Sequence, residues 1–467
     1  MADRRFELTY GEETRAFTVP EERLSGPLIA PRKPEALPGE TREILKAALE
    51  KPVGRPRLRG LVPGRRVAVI VSDEFRAGLQ HEILDVLLDE IVPAKPASVT
   101  VFCATGTHKP GVYAKNADSW VRDAAARLGV QIGFVAHDSE KSDFADLGTS
   151  SRGTRLKINR KLLECDLRVH GHESKPHYFY GYSCIDKQIV PGLSWGQTVA
   201  QNHKWALDPG SGPGRNAWHP DPGRRENPVS QDGKEAREIS ERYVLSPGGE
   251  PVLGEVMTFG LDMVSAKPDV LWVRAGDPNE LCREMVPVVD RLMSFEVERS
   301  RYVIVSPGGP PASQAIYGTQ NAFDLALKGA VLEGGEALVI APLDGRPDLP
   351  EDVRGLAPDE RSKSLFWDNL VRLLRLPLEE ARKEIADNFE LYLWKTDRVL
   401  RLFKETGLKI AVHSGLPAGV LEDGGFDSAP DIQAWIDERV SRGDGKFTVI
   451  DNGNKLCVTG RRSEHSS

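Results

Sequence analysis

The feature that most constrains the fold of this chain is a repeated alternation of short β-branched segments with helical segments. The segments "RRVAVIVS" (65–72), "SVTVFCATG" (98–106), "VQIGFVAH" and "CDLRVHG" (165–171) have the composition of buried strands. Between them, "EILDVLLDEIV" (82–92) and "ADSWVRDAAARLG" (117–129) space their apolar residues as helices do. Strands that alternate with helices in this way predict a doubly wound α/β sheet.

A second α/β series follows a change of amino-acid composition in the middle of the chain. Segment 208–234 is rich in Gly, Pro and charge without periodicity, which indicates either a long surface loop or a lid. Beyond it, a helical block and a C-terminal strand pair ("KFTVIDNG" and "KLCVTG") are predicted, with further strands at 269–276, 301–309, 336–343 and 409–415. We predict two lobes, 1–265 and 266–467. Each has a mainly parallel sheet flanked by helices, and the active site lies in the cleft between them.

The composition narrows the class of function. The 467 residues carry a formal net charge of -7 without a basic block, which argues against nucleic-acid binding, because neutralising phosphates needs a basic stripe. No run approaches the ~18 apolar residues of a membrane helix, and "MADRRFELTYGEETR" lacks the apolar segment of a secretory signal. The five cysteines are far apart and include no C-x-x-C pair, so we expect reduced thiols in a cytoplasmic protein that handles a small molecule.

Charged and imidazole side chains follow three of the first-lobe strands at the points where the strands end. Asp73 and Arg76 follow one strand, His108 another, and His172 and then His177 a third. Ligands of open α/β sheets bind beyond the carboxyl ends of the strands, so three polar ends in a row favour a site there. Imidazole, with an unperturbed pKa near ~6.5, can take or give a proton at neutral pH. The planar fork of an arginine matches a carboxylate or a phosphate.

The run "KPHYFYGYSCIDKQIVPG" (175–192) places Lys187 in an apolar and aromatic neighbourhood. A partly buried lysine loses its preference for the charged form and becomes nucleophilic, whereas an exposed one only extends into solvent, and the sequence leaves both alternatives open. His203 has no His or Cys partner at metal-ligand spacing, so a conventional zinc site is not supported. A lone His ligand requires other ligands that the protein does not supply.

Several of these segments together resemble the nickel-dependent lactate racemase family. They are "SDEFR", "ATGTHKP", "PHYFYGYSCIDKQIVPGLSWGQTVAQNH", "ENPVSQDGKEARE" and "SPGGPPASQAIYGTQNAF", in the family's order. The resemblance implies an isomerase, a racemase or epimerase of hydroxy acids. It also implies a nickel-pincer nucleotide, a pyridinium bisthiocarboxylic acid mononucleotide that grips nickel through two sulfurs and a carbon. Separate maturation enzymes would have to make this cofactor, and the oligomeric state is left open between a monomer and a homodimer.

Carried over by position, the resemblance implies a role for each candidate residue. Lys187 would hold the cofactor covalently through a thioamide, and His203 would be the fourth nickel ligand. His108 and His177 would be the acid/base pair on the two faces of the substrate. The implied substrate contacts are Asp73, Arg76, Tyr317, Gln320 and Asn321, and the implied cofactor contacts besides Lys187 are Asp73 and Trp367.

The mechanism that the resemblance implies is a hydride relay. One His removes the hydroxyl proton while the hydride on C2 passes to the pyridinium ring. The flat 2-keto intermediate then takes the hydride back on its other face, and the opposite His supplies the proton. Inversion needs acid/base groups on both sides, so two His are the right number, and the cofactor supplies the hydride chemistry.

Departures from the family pattern indicate that lactate is not the substrate. After the Tyr the lactate enzymes have Gln, two residues and Lys, but this chain has Gly318–Asn321, so a second cation for the substrate carboxylate is missing. The family's "SGGRK" is "SCIDK" here, which places Cys184 and Asp186 beside the cofactor lysine, and Glu74 and Phe75 also differ. We predict a 2-hydroxy acid that is larger or more hydroxylated than lactate, such as a sugar acid.

Three alternatives remain open from the sequence. The same cofactor could serve an epimerase of a neutral sugar or polyol, bound by Glu74, Gln320 and Asn321. Lys187 could instead form a Schiff base in a lyase or aldolase. The chain could also be a carrier or ligand-binding protein that keeps the fold without turnover. A Rossmann dehydrogenase is a poor match, because no G-x-G-x-x-G opens a helix after a strand.

Overall fold

The computed structural model describes residues 2–74, 78–345 and 349–461. Their strands, in chain order, are β1 (Asp3–Tyr10), β2 (Glu13–Pro20), β3 (Arg66–Ser72), β4 (Ser98–Ala104), β5 (Gly133–Ala136), β6 (Phe144–Thr149), β7 (Arg155–Asn159), β8 (Leu167–Glu173), β9 (Lys175–His177), β10 (Gly181–Ser183), β11 (Tyr243–Leu245), β12 (Pro251–Leu253), β13 (Met257–Ala266), β14 (Asp269–Gly276), β15 (Ser294–Val297), β16 (Ser300–Val305), β17 (Val331–Ile340), β18 (Lys409–His413), β19 (Asp427–Ser428), β20 (Phe447–Ile450) and β21 (Cys457–Gly460).

The helices alternate with these strands. They are α1 (Thr41–Glu50), α2 (Leu58–Leu61), α3 (Gln80–Ile91), α4 (Pro110–Tyr113), α5 (Lys115–Leu128), α6 (Gly196–Lys204), α7 (Pro228–Ser240), α8 (Pro278–Met293), α9 (Ile316–Ala322), α10 (Lys328–Ala330), α11 (Glu360–Ser362), α12 (Asn369–Leu373), α13 (Leu378–Asp387), α14 (Leu393–Thr406), α15 (Ala418–Asp423) and α16 (Ile432–Arg442). Two π-helical segments, Phe323–Leu327 and Lys363–Asp368, continue α9 into α10 and α11 into α12.

The first compact unit, Lys33–Lys175 with Phe179–Leu292, is built on a six-stranded sheet in the order β14-β13-β8-β3-β4-β5. β3 lies inside this sheet, parallel to both of its neighbours. Its odd residues, Val67 to Val71, pack in the core that α1, α3 and α5 cover, and Ala68 and Ile70 pack in a second core on the opposite face. Because both faces are covered, the strand is continuously apolar, as parallel strands usually are.

The strands and helices predicted in the first lobe are present. α5, for example, ends where expected, at Gly129, whose φ of 66° gives the left-handed C-cap that glycine adopts without strain. The predicted strand at 269–276, however, does not begin a second series. It is β14, the edge of the first sheet, because it pairs antiparallel with β13, a strand that the sequence analysis did not predict.

The second compact unit contains the residues up to Arg32, Pro176–Tyr178 and the residues from Met293 onward. Its five-stranded sheet has the order β19-β18-β17-β16-β20 with all pairs parallel. The β1–β2 hairpin contributes Phe6, Leu8, Phe17 and Val19 to the core on one face of this sheet. The predicted α/β class, with mainly parallel sheets flanked by helices, is confirmed.

Two features of the second unit differ from the expectations. "KFTVIDNG" and "KLCVTG" do not pair with each other, because β20 lies beside β16 whereas β21 pairs with β15. Contacts also divide the chain at 32/33 and 292/293, with Pro176–Tyr178 added to the second unit, whereas the sequence predicted one boundary near residue 266. Among the described residues, no helix has both the length and the apolar character that crossing a membrane requires.

Candidate active site

Asp73 and His108 form a contact at the carboxyl ends of two adjacent strands. β3 and β4 run in register, with Ser72 opposite Ala104, so the residues that follow them are neighbours. His108 Nδ1 lies 2.5 Å from Asp73 Oδ2, and the Asp73 side chain is only 1% exposed. A carboxylate only accepts hydrogen bonds, so Nδ1–H donates and Nε2 keeps the lone pair. This tautomer suits His108 as a proton acceptor.

The second oxygen of Asp73 also points to a ligand. Asp73 Oδ1 is buried and has no hydrogen-bond partner among the described residues. A buried carboxylate oxygen left without a donor is costly, and a hydroxyl or amide of a bound molecule would remove that cost. Arg76 and Phe75 lie outside the described residues, so the structure says nothing about the predicted carboxylate fork. Glu74 accepts a hydrogen bond from the backbone N–H of Asn116, at the start of α5.

His172, the other imidazole near a strand end, belongs to a buried network. Its Nδ1 lies 3.1 Å from Asp262 Oδ1, and Ser174 donates its hydroxyl to the same carboxylate. The His172 side chain is buried on β8, next to β13, which carries Asp262. These contacts connect β8 to β13 inside the sheet. Of the polar residues at the three strand ends, His172 therefore has a structural role.

Lys187 is buried in the aromatic run, so it does not extend into solvent. It sits in the short 3-10 turn Ile185–Gln188 and is 4% exposed. Its Nζ lies 4.5 Å from the centre of the Tyr180 ring and 5.4 Å from that of Phe179. Of the two alternatives that the sequence left open, the structure therefore selects the buried amine, the environment that favours nucleophilic lysine chemistry.

His203, on α6, faces the same aromatic ring as Lys187. Its ring meets that of Phe179 edge-on, with 5.0 Å between the ring centres. Its Nδ1 lies 3.0 Å from Asn202 Oδ1, and Asn202 in turn donates from Nδ2 to Asp232 at 2.8 Å. Because the amide is held this way, Nδ1–H of His203 donates and Nε2 keeps the lone pair, the form that binds a metal.

Asp186 and Cys184 were interpreted from the sequence as neighbours of the cofactor that change the specificity. That interpretation stays a prediction, and the structure adds that both side chains are buried. Asp186 is completely buried and accepts hydrogen bonds from Arg237 Nε and Trp218 Nε1, each at 2.6 Å. Cys184 Sγ lies 3.4 Å from the same carboxylate. Asp186 therefore anchors the turn that carries Lys187.

The Gly- and Pro-rich segment after residue 207, for which the sequence left a surface loop and a lid open, packs in part against the aromatic run. Asn216 and Asn227 are fully buried and donate to the carbonyl groups of Tyr180 and Phe179, at 3.0 and 2.8 Å. A Cβ on Gly181, whose φ is 82°, would collide with the carbonyl group of Arg215. The segment therefore holds the backbone of the aromatic run in place, and α7 begins directly after it, at Pro228.

A second cluster lies in the other compact unit and contains His177. The His177 ring stacks on that of Tyr178 at 4.6 Å, with 18° between the planes. The Tyr178 ring also lies 4.9 Å from Nζ of Lys395, a residue of α14. The structure thus brings His177, at the end of β9, close to a helix more than two hundred residues later in the sequence.

Lys395 connects this cluster to the three predicted substrate residues of α9. Its Nζ donates to the carbonyl oxygen of Tyr317 at 2.6 Å, to Gln320 Oε1 at 3.1 Å and to Asn321 Oδ1 at 2.7 Å. The sequence analysis missed Lys395. The available signal was a lysine directly after the apolar and aromatic stretch "LYLW".

Trp367, the predicted cofactor contact, packs in the core of the second unit. Its ring stacks on that of Phe426 at 6.3 Å, and a Cβ on Gly424 would collide with it. Its neighbour Phe366 meets the Tyr317 ring edge-on at 5.7 Å. Both aromatic residues belong to the π-helical segment Lys363–Asp368, a deviation that is frequent near functional sites.

Comparison with known proteins connects this geometry to a family. Residues 10–214 match the family model described as the lactate racemase N-terminal domain. The chain is 27% identical to a lactate racemase from Thermoanaerobacterium thermosaccharolyticum over 342 residues, which are 72% of this chain and 73% of that protein. It is 25% identical to a lactate racemase from Lactiplantibacillus plantarum over 200 residues, 42% of this chain and 46% of that protein. This chain is therefore similar to the lactate racemases over most of its length, and its residues 10–214 match their N-terminal domain.

Two solved structures share the fold of this chain. The lactate racemase apoprotein from Thermoanaerobacterium thermosaccharolyticum matches with a TM-score of 0.77 at 23% identity, covering 98% of this chain and all of that one. A protein from Thermotoga maritima matches with a TM-score of 0.64 at 15% identity, covering 91% of this chain. At these identities the likeness concerns the fold.

The lactate racemase N-terminal domain model covers some of the candidate residues and not others. Asp73, His108, His177, Lys187 and His203 lie inside the matched residues 10–214. The α9–α14 cluster lies beyond them, and with it the residues Tyr317, Gln320, Asn321 and Lys395. For that cluster this chain's own contacts therefore carry the most information.

Proposed function

We propose that this protein is a lactate racemase homologue that inverts the hydroxyl-bearing C2 of a 2-hydroxy acid and carries a nickel-pincer nucleotide on Lys187. The names of its relatives support the coarser assignment, an isomerase that acts on hydroxy acids. The observation that carries the finer proposal is the pair Lys187 and His203. They come from different elements, both are buried, and both contact the ring of Phe179.

The residues present fit such a group. Lys187 offers an amine for the covalent link, and the lone pair on His203 Nε2 is a suitable donor for nickel. The rings of Phe179 and Tyr180 give the Lys187 amine apolar surroundings in which a flat aromatic group can pack. When bound, the nucleotide supplies reversible acceptance of a hydride.

The chain's own residues supply the proton transfers. His108 takes the hydroxyl proton at Nε2, because its Nδ1–H is held by Asp73, and the buried carboxylate stabilises the imidazolium that forms. The second proton transfer is assigned to His177, whose ring orientation is fixed by the stack on Tyr178. Asp73 Oδ1 accepts a hydrogen bond from the bound substrate or cofactor.

Holo-protein, expressed together with the cofactor maturation enzymes, tests this function. We expect inversion of a chiral 2-hydroxy acid, followed by chiral chromatography, and retention of deuterium placed at C2. His108→Ala and His177→Ala should abolish inversion while nickel stays bound, and His81→Ala, which removes a half-exposed imidazole outside the site, should leave inversion unchanged. Full inversion in both site variants, or loss of the label to water, would contradict the proposal.

The runner-up, a Schiff-base lyase on Lys187, has its own outcome in the same preparation. Borohydride treatment with a carbonyl substrate would then trap that substrate on Lys187. We expect no such adduct, because the thioamide link consumes the amine.

A further inference from the structure

We propose that Lys395 is a positioning residue for the substrate: it turns the carboxamide of Asn321 so that its N–H groups face a substrate hydroxyl, which selects polyhydroxy acids over lactate. The inference rests on the proposed function and deepens it. It concerns only residues of the second compact unit.

The hydrogen bonds of Lys395 fix the orientation of two side-chain amides. An ammonium group has three donors and no acceptor. All three are used, by the Tyr317 carbonyl oxygen, Gln320 Oε1 and Asn321 Oδ1. Both carboxamides must therefore present their oxygen to Lys395, and their NH₂ groups point away from it.

The two NH₂ groups have different surroundings. Gln320 Nε2 donates to Asp324 Oδ2 at 2.8 Å, so it is used inside the protein. Asn321 Nδ2 donates to no residue that the structure describes, and the Asn321 side chain is half-buried. Asn321 thus offers neutral donors at the edge of the cluster, which suit the oxygen of a hydroxyl group.

Lys395 itself is enclosed, which keeps it from binding a substrate anion directly. It is 1% exposed, and its Nζ lies 4.2 Å from the ring centre of Tyr317, 4.9 Å from that of Tyr178 and 5.0 Å from that of Trp394. A carboxylate could reach the ammonium only by breaking one of its three hydrogen bonds. The buried cation therefore acts through Asn321, and the group that this subsite receives is uncharged.

The burial of Lys395 works against its charge, and the surrounding groups retain it. Burial lowers the pKa of Lys395 well below its usual value, and the carboxylate of Asp324 opposes that shift. Arg398, which lies 3.4 Å from Asp324, lowers it further. Three acceptor oxygens and three aromatic faces match the ammonium form, because a neutral amine has only two N–H donors.

The backbone around Lys395 is constrained in a way that is typical of functional sites. α14 begins after Tyr392, which has a φ of 85°, a left-handed conformation that costs free energy for a bulky side chain. The Tyr392 ring meets that of Tyr317 edge-on at 5.6 Å, and its carbonyl group accepts from Lys395 N–H. The strained residue thus sets the position from which Lys395 reaches α9.

The test compares KM and kcat of holoenzyme variants for lactate and for gluconate, a polyhydroxy acid. In Lys395→Met we expect KM for gluconate to rise about tenfold, the effect of about one lost hydrogen bond, with kcat and the KM for lactate nearly unchanged. Lys404→Met is the matched control, because Lys404 lies on α14 and donates to a backbone carbonyl, that of Leu376. Its KM values should equal those of the wild type.

Asn321→Leu removes the donors without touching the buried lysine, so it tests the same claim if Lys395→Met does not fold. It should raise KM for gluconate by a similar factor, and binding of gluconate to the unloaded protein, measured by calorimetry, should weaken in parallel. Equal changes for both acids, or no change in folded variants, would overturn the role of Lys395 and Asn321. A wild-type enzyme that inverts neither acid but binds gluconate through Asn321 would overturn the proposed function alone.

Discussion

At the scale of single residues, the proposed proton transfer depends most on the buried Asp73 carboxylate. It selects the tautomer of His108 through a 2.5 Å contact, and it does so from a position that solvent does not reach. A buried anion next to an imidazole also stabilises the imidazolium in the transition state. The same residue offers its second oxygen to a ligand, so one side chain both orients the base and contacts what it acts on.

Replacing Asp73 with asparagine tests this dependence. Asp73→Asn keeps the shape but removes the charge, so we expect kcat for inversion to fall by about 10²-fold or more. Nickel content, measured by elemental analysis, should stay close to that of the wild type. Asp118→Asn, which removes an exposed carboxylate from α5, is the matched control. Unchanged kcat in Asp73→Asn would show that His108 needs no orienting anion.

At the scale of elements, the turn Ile185–Gln188 determines where Lys187 lies. Asp186 binds Arg237 of α7, and Gln188 Nε2 donates to the carbonyl groups of Gly171 and Ile70 at 2.7 and 3.2 Å. The turn is therefore attached to β8, β3 and α7 on both sides of Lys187. Preorganised contacts of this kind fix a reactive side chain before any ligand arrives.

Breaking the buried Asp186–Arg237 pair should lower the free energy of unfolding more than breaking an exposed ion pair does. Asp186→Asn removes the fully buried one of the two carboxylates that pair with the Arg237 guanidinium and leaves only Glu241, so we expect the free energy of unfolding in urea to fall by about 3 kcal/mol. The control Asp118→Asn breaks an exposed pair with Arg122 and should change it by about 0.5 kcal/mol or less. Equal effects of the two substitutions would contradict the anchoring role.

Two buried imidazoles make the first unit sensitive to acid. Burial lowers the pKa of His170 to about 3 and that of His137 to about 4. Between these values and the ordinary value near ~6.5, the unfolded chain binds more protons than the folded one, so the free energy of unfolding falls as the pH falls. The variant His170→Asn keeps a donor toward Gln188. Between pH 6.5 and 4, its free energy of unfolding in urea should fall less steeply with falling pH than that of the wild type, by up to about 1.4 kcal/mol per pH unit. Parallel slopes in wild type and variant would contradict it.

The elements show what periodicity can and cannot predict. Strands such as β3 and β4 were predictable because both of their faces are buried, and most of their residues are therefore apolar. Strand partners were not predictable, because the pairing of β20 and β21 depends on contacts with β16 and β15, far away in the sequence. The packed segment before α7 was missed for a related reason, since its buried asparagines pair with backbone rather than with one another.

At the scale of the whole molecule, the candidate residues include several that the sequence could place and one that it could not. Asp73, His108, Lys187 and His203 stand in recognisable motifs, and the structure gives each a contact that suits its predicted role. Lys395 has no motif, and its importance arises only where α14 meets α9. A cation thus reaches α9 from another helix, where it orients two side-chain amides and does not replace the missing carboxylate-binding cation.

The central claim is that Lys187 carries the nickel-pincer nucleotide with His203 as the protein ligand of the metal. The most direct measurement is intact-mass and nickel analysis of protein expressed together with the maturation enzymes, compared with Lys187→Arg and His203→Ala. We expect a fixed mass addition on Lys187 and about one nickel per chain in the wild type, no addition in Lys187→Arg, and strongly reduced nickel in His203→Ala. An unmodified Lys187 without nickel under these conditions would contradict the account.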